Sequence, residues 1–190
     1  MNIGLYFGSF NPIHIGHLVI ANYALNLTPL EKVWFVVSPH NPLKDHSALL
    51  SANKRLVLAK KAISGDKRFF VSDIEFSLSK PSYTINTLHY LQERYSKHKF
   101  SIIMGGDSYL NLHKWKNFKS IVNEYKIFVY PRPDIKLKSK PGSAVEILNA
   151  PLLNISSTGV RDLIKNKKSI RYLVPEKVRK EIEKNNYYKK

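Results

Sequence analysis

The sequence predicts an α/β protein built on a parallel sheet, and three features of the sequence indicate this fold class. Short apolar, β-branched or aromatic runs alternate with helical patterns, which is the order of repeated β–α units. The predicted strands are nearly all apolar, as expected when both faces of a sheet are buried. The predicted helices repeat apolar residues at helical spacing, so one face of each helix can pack against the sheet.

The first half of the chain supplies three predicted strands and two predicted helices. Residues 3–7, 33–37 and 69–72 are short runs rich in apolar and aromatic residues, which favour strands. Apolar residues at helical spacing predict helices over residues 16–27 and 52–63.

The second half continues the alternation with a helix at residues 84–95 and strands at residues 101–104, 127–130 and, more weakly, 145–148. Two short helices are expected to close the chain. Ser157 and Thr158 are good N-cap residues for the first of them, and Pro175 suits the first turn of the second.

Length and composition fit one globular domain, so we expect residues 1–190, of which 43% are hydrophobic, to form a single domain. Residues 40–50 and 132–143 are predicted to be surface loops. The sequence contains no run apolar enough to cross a membrane, and its start does not resemble a secretion signal. The absence of cysteine excludes a disulfide framework, a thiolate zinc site and a cysteine nucleophile. We therefore expect a cytoplasmic protein without a membrane partner.

The chain is strongly basic, with 31 Lys and Arg residues against 14 Asp and Glu residues and a formal charge of +17. Such a charge attracts polyanions, including nucleotides and nucleic acid. Lysine-rich runs such as residues 136–140 are typical of solvated surface. We interpret most of the lysines in that way and do not expect a nucleic-acid partner on charge alone.

The turn after the first predicted strand has the features of a phosphate-binding loop. Residues 8–17 read Gly-Ser-Phe-Asn-Pro-Ile-His-Ile-Gly-His and lead directly into a helix, at the sheet edge where ligands bind. A helix N-terminus favours phosphate, and Gly8 allows close approach of the backbone. His14 and His17 share a face of the first turn and could donate to phosphate oxygens. Zinc ligation is the alternative, for which a third ligand is not evident.

A second candidate phosphate site lies near the C-terminus. Residues 154–161 read Asn-Ile-Ser-Ser-Thr-Gly-Val-Arg, which places hydroxyls at a helix start and a guanidinium one turn later. Hydroxyl and helix N–H groups can hold phosphate oxygens, and Arg161 can add bidentate bonds. An ordinary N-cap followed by a surface arginine explains this segment equally well when it is taken alone.

Together, the two motifs resemble those of the nucleotidyltransferase superfamily that carries a His-x-Gly-His signature. Its members join a nucleotidyl group to a phosphate and release pyrophosphate. The expected fold is then Rossmann-like, a doubly wound parallel sheet of five or six strands with helices on both faces and a short C-terminal helical segment. The resemblance implies that ATP and its phosphates contact Gly8, Ser9, Phe10, Gly16, Gly105, Asp107, Ile155, Ser156, Ser157 and Thr158. The superfamily more often has Thr at position 9 and Asp at position 11, so Asn11 removes a charge.

Two further segments resemble those of the bacterial nicotinate-mononucleotide adenylyltransferases. In the Pro-Ser-Tyr-Thr element at residues 81–84, the resemblance implies that Thr84 and the backbone at Ile85 bind the nicotinate carboxylate. The Gly-x-Asp-Ser pattern at residues 105–108 implies that Asp107 accepts bonds from ribose hydroxyls. Trp115, which follows it, would stack on the pyridine ring. A plain helix cap at Thr84 and core packing of Trp115 are the alternatives.

A third segment, residues 39–44, resembles more loosely the loop that holds a mononucleotide in the same family. Asn41 is the candidate mononucleotide ligand and Lys44 the candidate phosphate ligand, although Leu43 stands where the family has His.

The expected activity is transfer of AMP from ATP to nicotinate mononucleotide by direct in-line displacement. The candidate catalytic residues are His14, His17, Lys44 and Arg161. Mg²⁺ is expected to be carried by ATP, since the sequence shows no dedicated carboxylate cluster. The alternatives are a phosphopantetheine adenylyltransferase, a basic nucleic-acid-binding domain without catalysis and a regulatory nucleotide-binding domain. The sequence does not define the oligomeric state, and a homo-oligomer stays open.

Overall fold

The computed structural model describes residues 1–39, 49–79, 81–131 and 143–189. Within this part of the chain, a six-stranded sheet has the order β3-β2-β1-β4-β5-β6, and every neighbouring pair of strands is parallel. The strands are β1 (Asn2–Gly8), β2 (Lys32–Val37), β3 (Phe69–Ser72), β4 (Lys99–Gly105), β5 (Lys126–Tyr130) and β6 (Val145–Ile147). All six predicted strands are therefore present, and the weak sixth candidate is the three-residue edge strand.

The helices are α1 (Ile15–Leu27), α2 (Ala52–Ala62), α3 (Thr84–Arg94), α4 (Gly106–Leu110), α5 (Phe118–Glu124), α6 (Ser157–Lys165) and α7 (Glu176–Lys184). Two 3₁₀ turns cover Ile74–Phe76 and Leu112–Lys114. The sequence did not predict α4, α5 or the 3₁₀ turns, because segments of three to seven residues are too short to show helical periodicity. None of the helices in the described ranges combines the length and apolar character needed to span a bilayer.

Two helix starts differ slightly from the prediction. Ser156, not Ser157 or Thr158, is the N-cap of α6, because its Oγ accepts a hydrogen bond from the N–H of Gly159 at 3.1 Å. Pro175 is the N-cap of α7, so the helix itself begins one residue later than predicted.

Buried apolar side chains cover both faces of the sheet. Successive residues of β2 point to opposite faces, with Phe35 in one core cluster and Val36 in the other. Helices α1, α2, α6 and α7 contribute to the first cluster, and α3 and α5 contribute to the second. This arrangement confirms the predicted Rossmann-like, doubly wound α/β fold.

The strand order places a crevice at the carboxyl edge of the sheet. Chain connections run outward in one direction from β1 and in the other from β4, so the loops that follow these adjacent strands diverge. The loop after β1 is the predicted phosphate loop, and the segment after β4 begins with the predicted Gly105–Asp107 element. The fold therefore brings two of the predicted substrate segments to one edge.

The end of the chain returns to the same edge. Helix α7 packs against α2, and Lys61 and Glu181 form an ion pair between them at 3.3 Å. The residues after α7 continue this contact, with the Lys54 ammonium 5.2 Å from the ring centroid of Tyr187. Tyr188 follows and reaches the loop after β1.

Candidate active site

The loop after β1 is built around the side chain of Phe10. This residue has a φ of 46° and is only 2% exposed, an uncommon backbone conformation for a bulky residue that packing must maintain. Its ring lies against the rings of Tyr6, Phe35 and His17, with centroid distances of 5.7, 5.6 and 5.1 Å. A Cβ at Gly8 would lie 2.8 Å from the Phe10 ring, so glycine is required there by the packing of the loop itself. The side chain of Phe10 is thus part of the packing that shapes the loop.

The two histidines of the loop form a stacked pair at the start of α1. His14 is the N-cap, and its ring centroid lies 3.7 Å from that of His17 with an angle of 28° between the planes. The N–H of His14 donates to Nδ1 of His17 at 3.2 Å. In the neutral ring an accepting Nδ1 leaves the proton on Nε2, so His17 presents an N–H donor on its far side. That donor is suited to a phosphate oxygen.

Gly16 lies between the two predicted phosphate motifs. A Cβ at this position would lie 3.0 Å from Nδ1 of His14 and 3.5 Å from Cβ of Ile155. A Cβ would therefore be in ordinary contact with Ile155 but tight against the histidine ring, which would have to shift by a few tenths of an ångström.

Hydrogen bonds join the motifs across about 150 residues of sequence. The hydroxyl of Ser157 donates to the main-chain oxygen of Pro12 at 2.9 Å. Nη1 of Arg161 donates to the main-chain oxygen of Asn11 at 2.9 Å, and Nη2 donates to Oγ1 of Thr158 at 3.2 Å. The guanidinium is thus fixed beside the loop, while the arginine side chain stays partly exposed and accessible to an anion.

The element after β4 borders the crevice on its other side. Gly105 is the N-cap of α4, and a Cβ built on it meets no described atom within 4 Å, so the space beside it is open. Asp107 is exposed in the first turn of α4. Its position at the carboxyl end of β4 suits a carboxylate that accepts hydrogen bonds from ribose hydroxyls.

The two segments predicted to bind the mononucleotide lie next to each other. Lys116 places its ammonium 4.4 Å from the ring centroid of Tyr83, which joins the segment around Trp115 to the start of α3. Thr84 is the first residue of α3 and is partly buried. Ile85 is only 1% exposed and packs in the second core cluster, so its side chain serves the core. Trp115 packs partly against the core and remains partly exposed, which leaves a ring surface for stacking.

Arg55 is a structural component of the site that the sequence analysis missed. It is fully buried, and its guanidinium donates to the main-chain oxygens of Leu50 at 2.8 Å, Ser38 at 2.9 Å and Pro39 at 3.0 Å, and also to that of Ser9. Burial lowers the pKa of Arg55, while the nearby Tyr188 phenol acts to raise it. One buried cation therefore ties the phosphate loop to the end of β2. Its position on a helix among lysines gave no signal of burial.

Tyr188, near the end of the chain, was also missed. Its hydroxyl donates to Oδ1 of Asn11 at 2.9 Å, and the N–H of Leu50 donates to the same oxygen at 3.1 Å. Burial raises the pKa of the Tyr188 phenol, while Arg55 and Arg161 act to lower it. The Asn11 amide thus replaces the carboxylate common in the superfamily and still supplies the acceptor for both donors.

Asn41 and Lys44 lie outside the described residues. Among the residues that the structure does describe, no group of three or more His, Cys, Asp or Glu side chains is arranged to hold a metal ion.

Comparisons with known proteins agree with this geometry. A profile of the cytidylyltransferase-like family matches residues 5–163. A Flavobacterium johnsoniae protein described as a probable nicotinate-nucleotide adenylyltransferase is 47% identical over the whole of both chains. A Flavobacterium psychrophilum protein with the same description is 48% identical, again over the whole of both chains.

Solved structures show the same fold. Nicotinic acid mononucleotide adenylyltransferase from Plasmodium falciparum in complex with NaAD superposes with a TM-score of 0.84 at 22% identity, covering 98% of this chain and 97% of that one. The same enzyme in complex with APC gives a TM-score of 0.82.

Proposed function

The chain belongs to the cytidylyltransferase-like family and, within it, to the nicotinate-nucleotide adenylyltransferases, and we propose that it transfers AMP from ATP to nicotinate mononucleotide in NAD biosynthesis. The observation that carries this proposal is the contact between Arg161 and the loop that presents His17. It gathers a cation and an N–H donor at the carboxyl edge of a doubly wound sheet. We propose that residues 1–190 form one catalytic domain.

The reaction we propose is a direct in-line displacement. An oxygen of the mononucleotide phosphate attacks the α-phosphorus of ATP, the bond from that phosphorus to the bridging oxygen breaks, and pyrophosphate leaves with the electron pair. The attacking phosphate is already an anion, so no general base is required. Catalysis then consists of positioning the two phosphates and neutralising their charge.

Different described residues would position the phosphates and neutralise their charge. The Nε2–H of His17 would donate to a phosphate oxygen near the reacting centre, and His14 supports that ring by stacking on it. Arg161 would neutralise charge on the phosphates from the side of α6. Ser156 and Ser157 already cap α6 and bind the loop, so their contribution to phosphate binding would be to hold the backbone in place.

The mononucleotide would lie on the side of β4 and α3. We propose that the first turn of α3 at Thr84 receives the nicotinate carboxylate, because a helix N-terminus favours an anion. Trp115 would stack on the pyridine ring with its exposed surface. Asn41 and Lys44 remain proposed ligands of the mononucleotide and its phosphate.

Mg²⁺ is proposed as part of the substrate, bound to ATP. We propose that the triphosphate, and not a carboxylate cluster of the chain, carries the ion. The Mg²⁺ would reduce the negative charge of the triphosphate when it is bound. The cytoplasm, where ATP is abundant, is the proposed location of the protein.

A product assay with the full chain tests the proposal. ATP and Mg²⁺ are incubated with nicotinate mononucleotide, nicotinamide mononucleotide or phosphopantetheine, and pyrophosphate release and the adenylylated product are measured. We expect nicotinate adenine dinucleotide to be the product formed with the highest kcat/KM, and chelation of Mg²⁺ to stop turnover. Adenylylation of phosphopantetheine alone would replace the proposal. RNA binding that weakens with salt, without any pyrophosphate release, would do so as well.

A further inference from the structure

A buried carboxyl group lies beside the segment that begins α3. Glu75 is in the 3₁₀ turn after β3 and is 2% exposed. Its Oε2 accepts a hydrogen bond from Oγ of Ser82 at 3.1 Å, and its Oε1 accepts one from Oγ1 of Thr87 at 3.0 Å. The hydroxyl of Ser38, just after β2, is a further hydrogen-bond partner. Hydroxyl groups from separate segments of the chain therefore converge on one carboxyl group.

The hydrogen bonds from Ser82 and Thr87 attach to Glu75 from either side of Thr84. Ser82 precedes the helix in the Pro-Ser-Tyr-Thr element, and Thr87 is in the first turn of α3 and fully buried. A single carboxyl group thus fixes the chain before and after the residue whose backbone begins the helix. The two hydrogen bonds to Glu75 together set the direction in which the first N–H groups of α3 point.

Packing alone does not require a carboxyl group in this position. Burying an acidic group costs free energy, and its hydrogen bonds offset that cost only in part. Burial raises the pKa of Glu75, while the hydroxyl groups of Ser38, Thr87 and Ser82 act in the opposite direction. An apolar side chain would fill the same space without this cost. It would, however, remove the acceptor of the Ser82 hydroxyl and leave the Thr87 hydroxyl only the main-chain oxygen of Tyr83, at 3.5 Å.

We propose that Glu75 is a positioning residue for the mononucleotide, which orients Thr84 and the first turn of α3 without touching either substrate. This inference rests on the proposed function, because that function assigns the start of α3 to the nicotinate carboxylate. It predicts a defect confined to one of the two substrates, since the proposed function places the ATP phosphates against the loop after β1 and α6.

Steady-state kinetics of Glu75→Gln test the inference. Gln has nearly the same size as Glu but has one acceptor oxygen instead of two. Weakening hydrogen bonds to a charged acceptor changes a binding constant by about tenfold or more. We expect KM for nicotinate mononucleotide to rise by that factor, while KM for ATP changes less than about twofold. Glu93→Gln, an exposed glutamate on α3, is the matched control and should leave both values unchanged.

The two hydroxyl donors provide a test that does not depend on replacing a buried acid. Ser82→Ala and Thr87→Val should each raise KM for the mononucleotide, whereas Thr87→Ser keeps the hydroxyl and should restore most of the wild-type value. Combining Ser82→Ala with Glu75→Gln should be less than additive, because both substitutions act on the same hydrogen-bonded group.

The outcomes separate the two proposals. A wild-type enzyme that does not adenylylate nicotinate mononucleotide would overturn the proposed function. An active wild type with Glu75 and Ser82 variants that raise both KM values equally, or that leave both unchanged, would overturn the positioning role and leave the proposed function intact.

Discussion

Arg161 donates a hydrogen bond from Nη1 to the main-chain oxygen of Asn11 at 2.9 Å, although 150 positions separate the two residues in the sequence. This bond fixes a cation against the loop that carries the histidine pair, and the bond from Ser157 to Pro12 supports it on the same side. The polar groups proposed to contact the ATP phosphates are therefore held in place before a ligand binds. Preorganisation of this kind lowers the cost of aligning charge in a transition state.

Replacing Arg161 tests this relationship. Arg161→Ala is expected to lower kcat by a factor of about 10²–10³, the usual effect of removing one preorganised donor or charge. Arg161→Lys should recover only part of the loss, since an ammonium lacks the planar fork that can bind Asn11 and a phosphate together. Initial rates of pyrophosphate release give the measurement. Arg68→Ala, at the opposite edge of the sheet, is the control, and an Arg161→Ala variant with wild-type kcat would contradict the assignment.

The histidine pair allows the structural and chemical roles of His17 to be separated. His17→Asn keeps an acceptor near the position of Nδ1, so the bond from the N–H of His14 can be retained, but the Nε2 donor is lost. We expect normal thermal stability and a fall in kcat of about 10²–10³. His17→Gln places an amide N–H near the position of Nε2 and should retain more activity than His17→Asn. Equal activity of the two variants would indicate that Nε2 donates to no reacting group, and the exposed His89→Asn serves as control.

The C-terminal segment should affect the ATP side of the site. Tyr188→Phe removes the hydroxyl that donates to Asn11 and leaves the ring in place. Loss of a hydrogen bond worth about 1 kcal/mol predicts a decrease of about fivefold in kcat/KM for ATP. KM for the mononucleotide should stay within about twofold of wild type. Tyr187→Phe, one residue earlier, is the matched control, and equal effects of the two substitutions would show that the Asn11 bond has no specific role.

Arg55 should contribute more to the free energy of unfolding than the other polar residues of the site. Arg55→Met fills similar volume but leaves main-chain oxygens of Leu50, Ser38, Pro39 and Ser9 without their donor. Because each buried group left unsatisfied costs about 1–3 kcal/mol, we expect the free energy of unfolding to fall by about 3 kcal/mol or more. Urea unfolding of the variant measures this change. Lys60→Met, on the exposed side of the same helix, should stay within about 0.5 kcal/mol of wild type.

The fold could be predicted from the sequence because its signal is local. Runs such as residues 33–37 are apolar enough to identify buried parallel strands, and the loop of residues 8–17 joins a strand to a helix within one short motif. Helix α4 gave no such signal, since its five residues begin with Gly106 and span little more than one turn.

The supporting residues of the site could not be predicted, because their roles depend on contacts distant in sequence. Arg55 reads as one more cation in a helix that also contains lysines, and only the folded chain shows four main-chain oxygens around it. Glu75 reads as a charge in a loop after β3, and two of its partners lie 7 and 12 positions further along the chain. The third, Ser38, precedes it by more than thirty positions. His17 could be proposed from the sequence because the motif that indicates its role consists of neighbouring residues.

The pH dependence of stability provides a last prediction, which concerns Glu75. Burial raises the pKa of this carboxyl group above its ordinary value of 4.5. The folded state therefore binds the proton more tightly than the unfolded state does, and the stability contributed by the protonated group is lost as pH rises through the folded pKa. Glu75→Gln stays neutral at every pH and escapes this loss. The free energy of unfolding of the variant minus that of wild type should thus increase as pH rises from the ordinary pKa and level off above the folded one.

Urea unfolding of both proteins at a series of pH values measures this difference, with Glu93→Gln as the control. Near neutral pH, Glu75→Gln is expected to weaken mononucleotide binding, seen as a higher KM. It should at the same time raise the free energy of unfolding, because it relieves the cost of a buried charge. A purely structural carboxylate would behave otherwise: its loss would lower stability most at neutral pH, and both substrates would be affected together. A difference in unfolding free energy that falls as pH rises would show that the fold stabilises the ionised form of Glu75, and the burial argument would then be wrong.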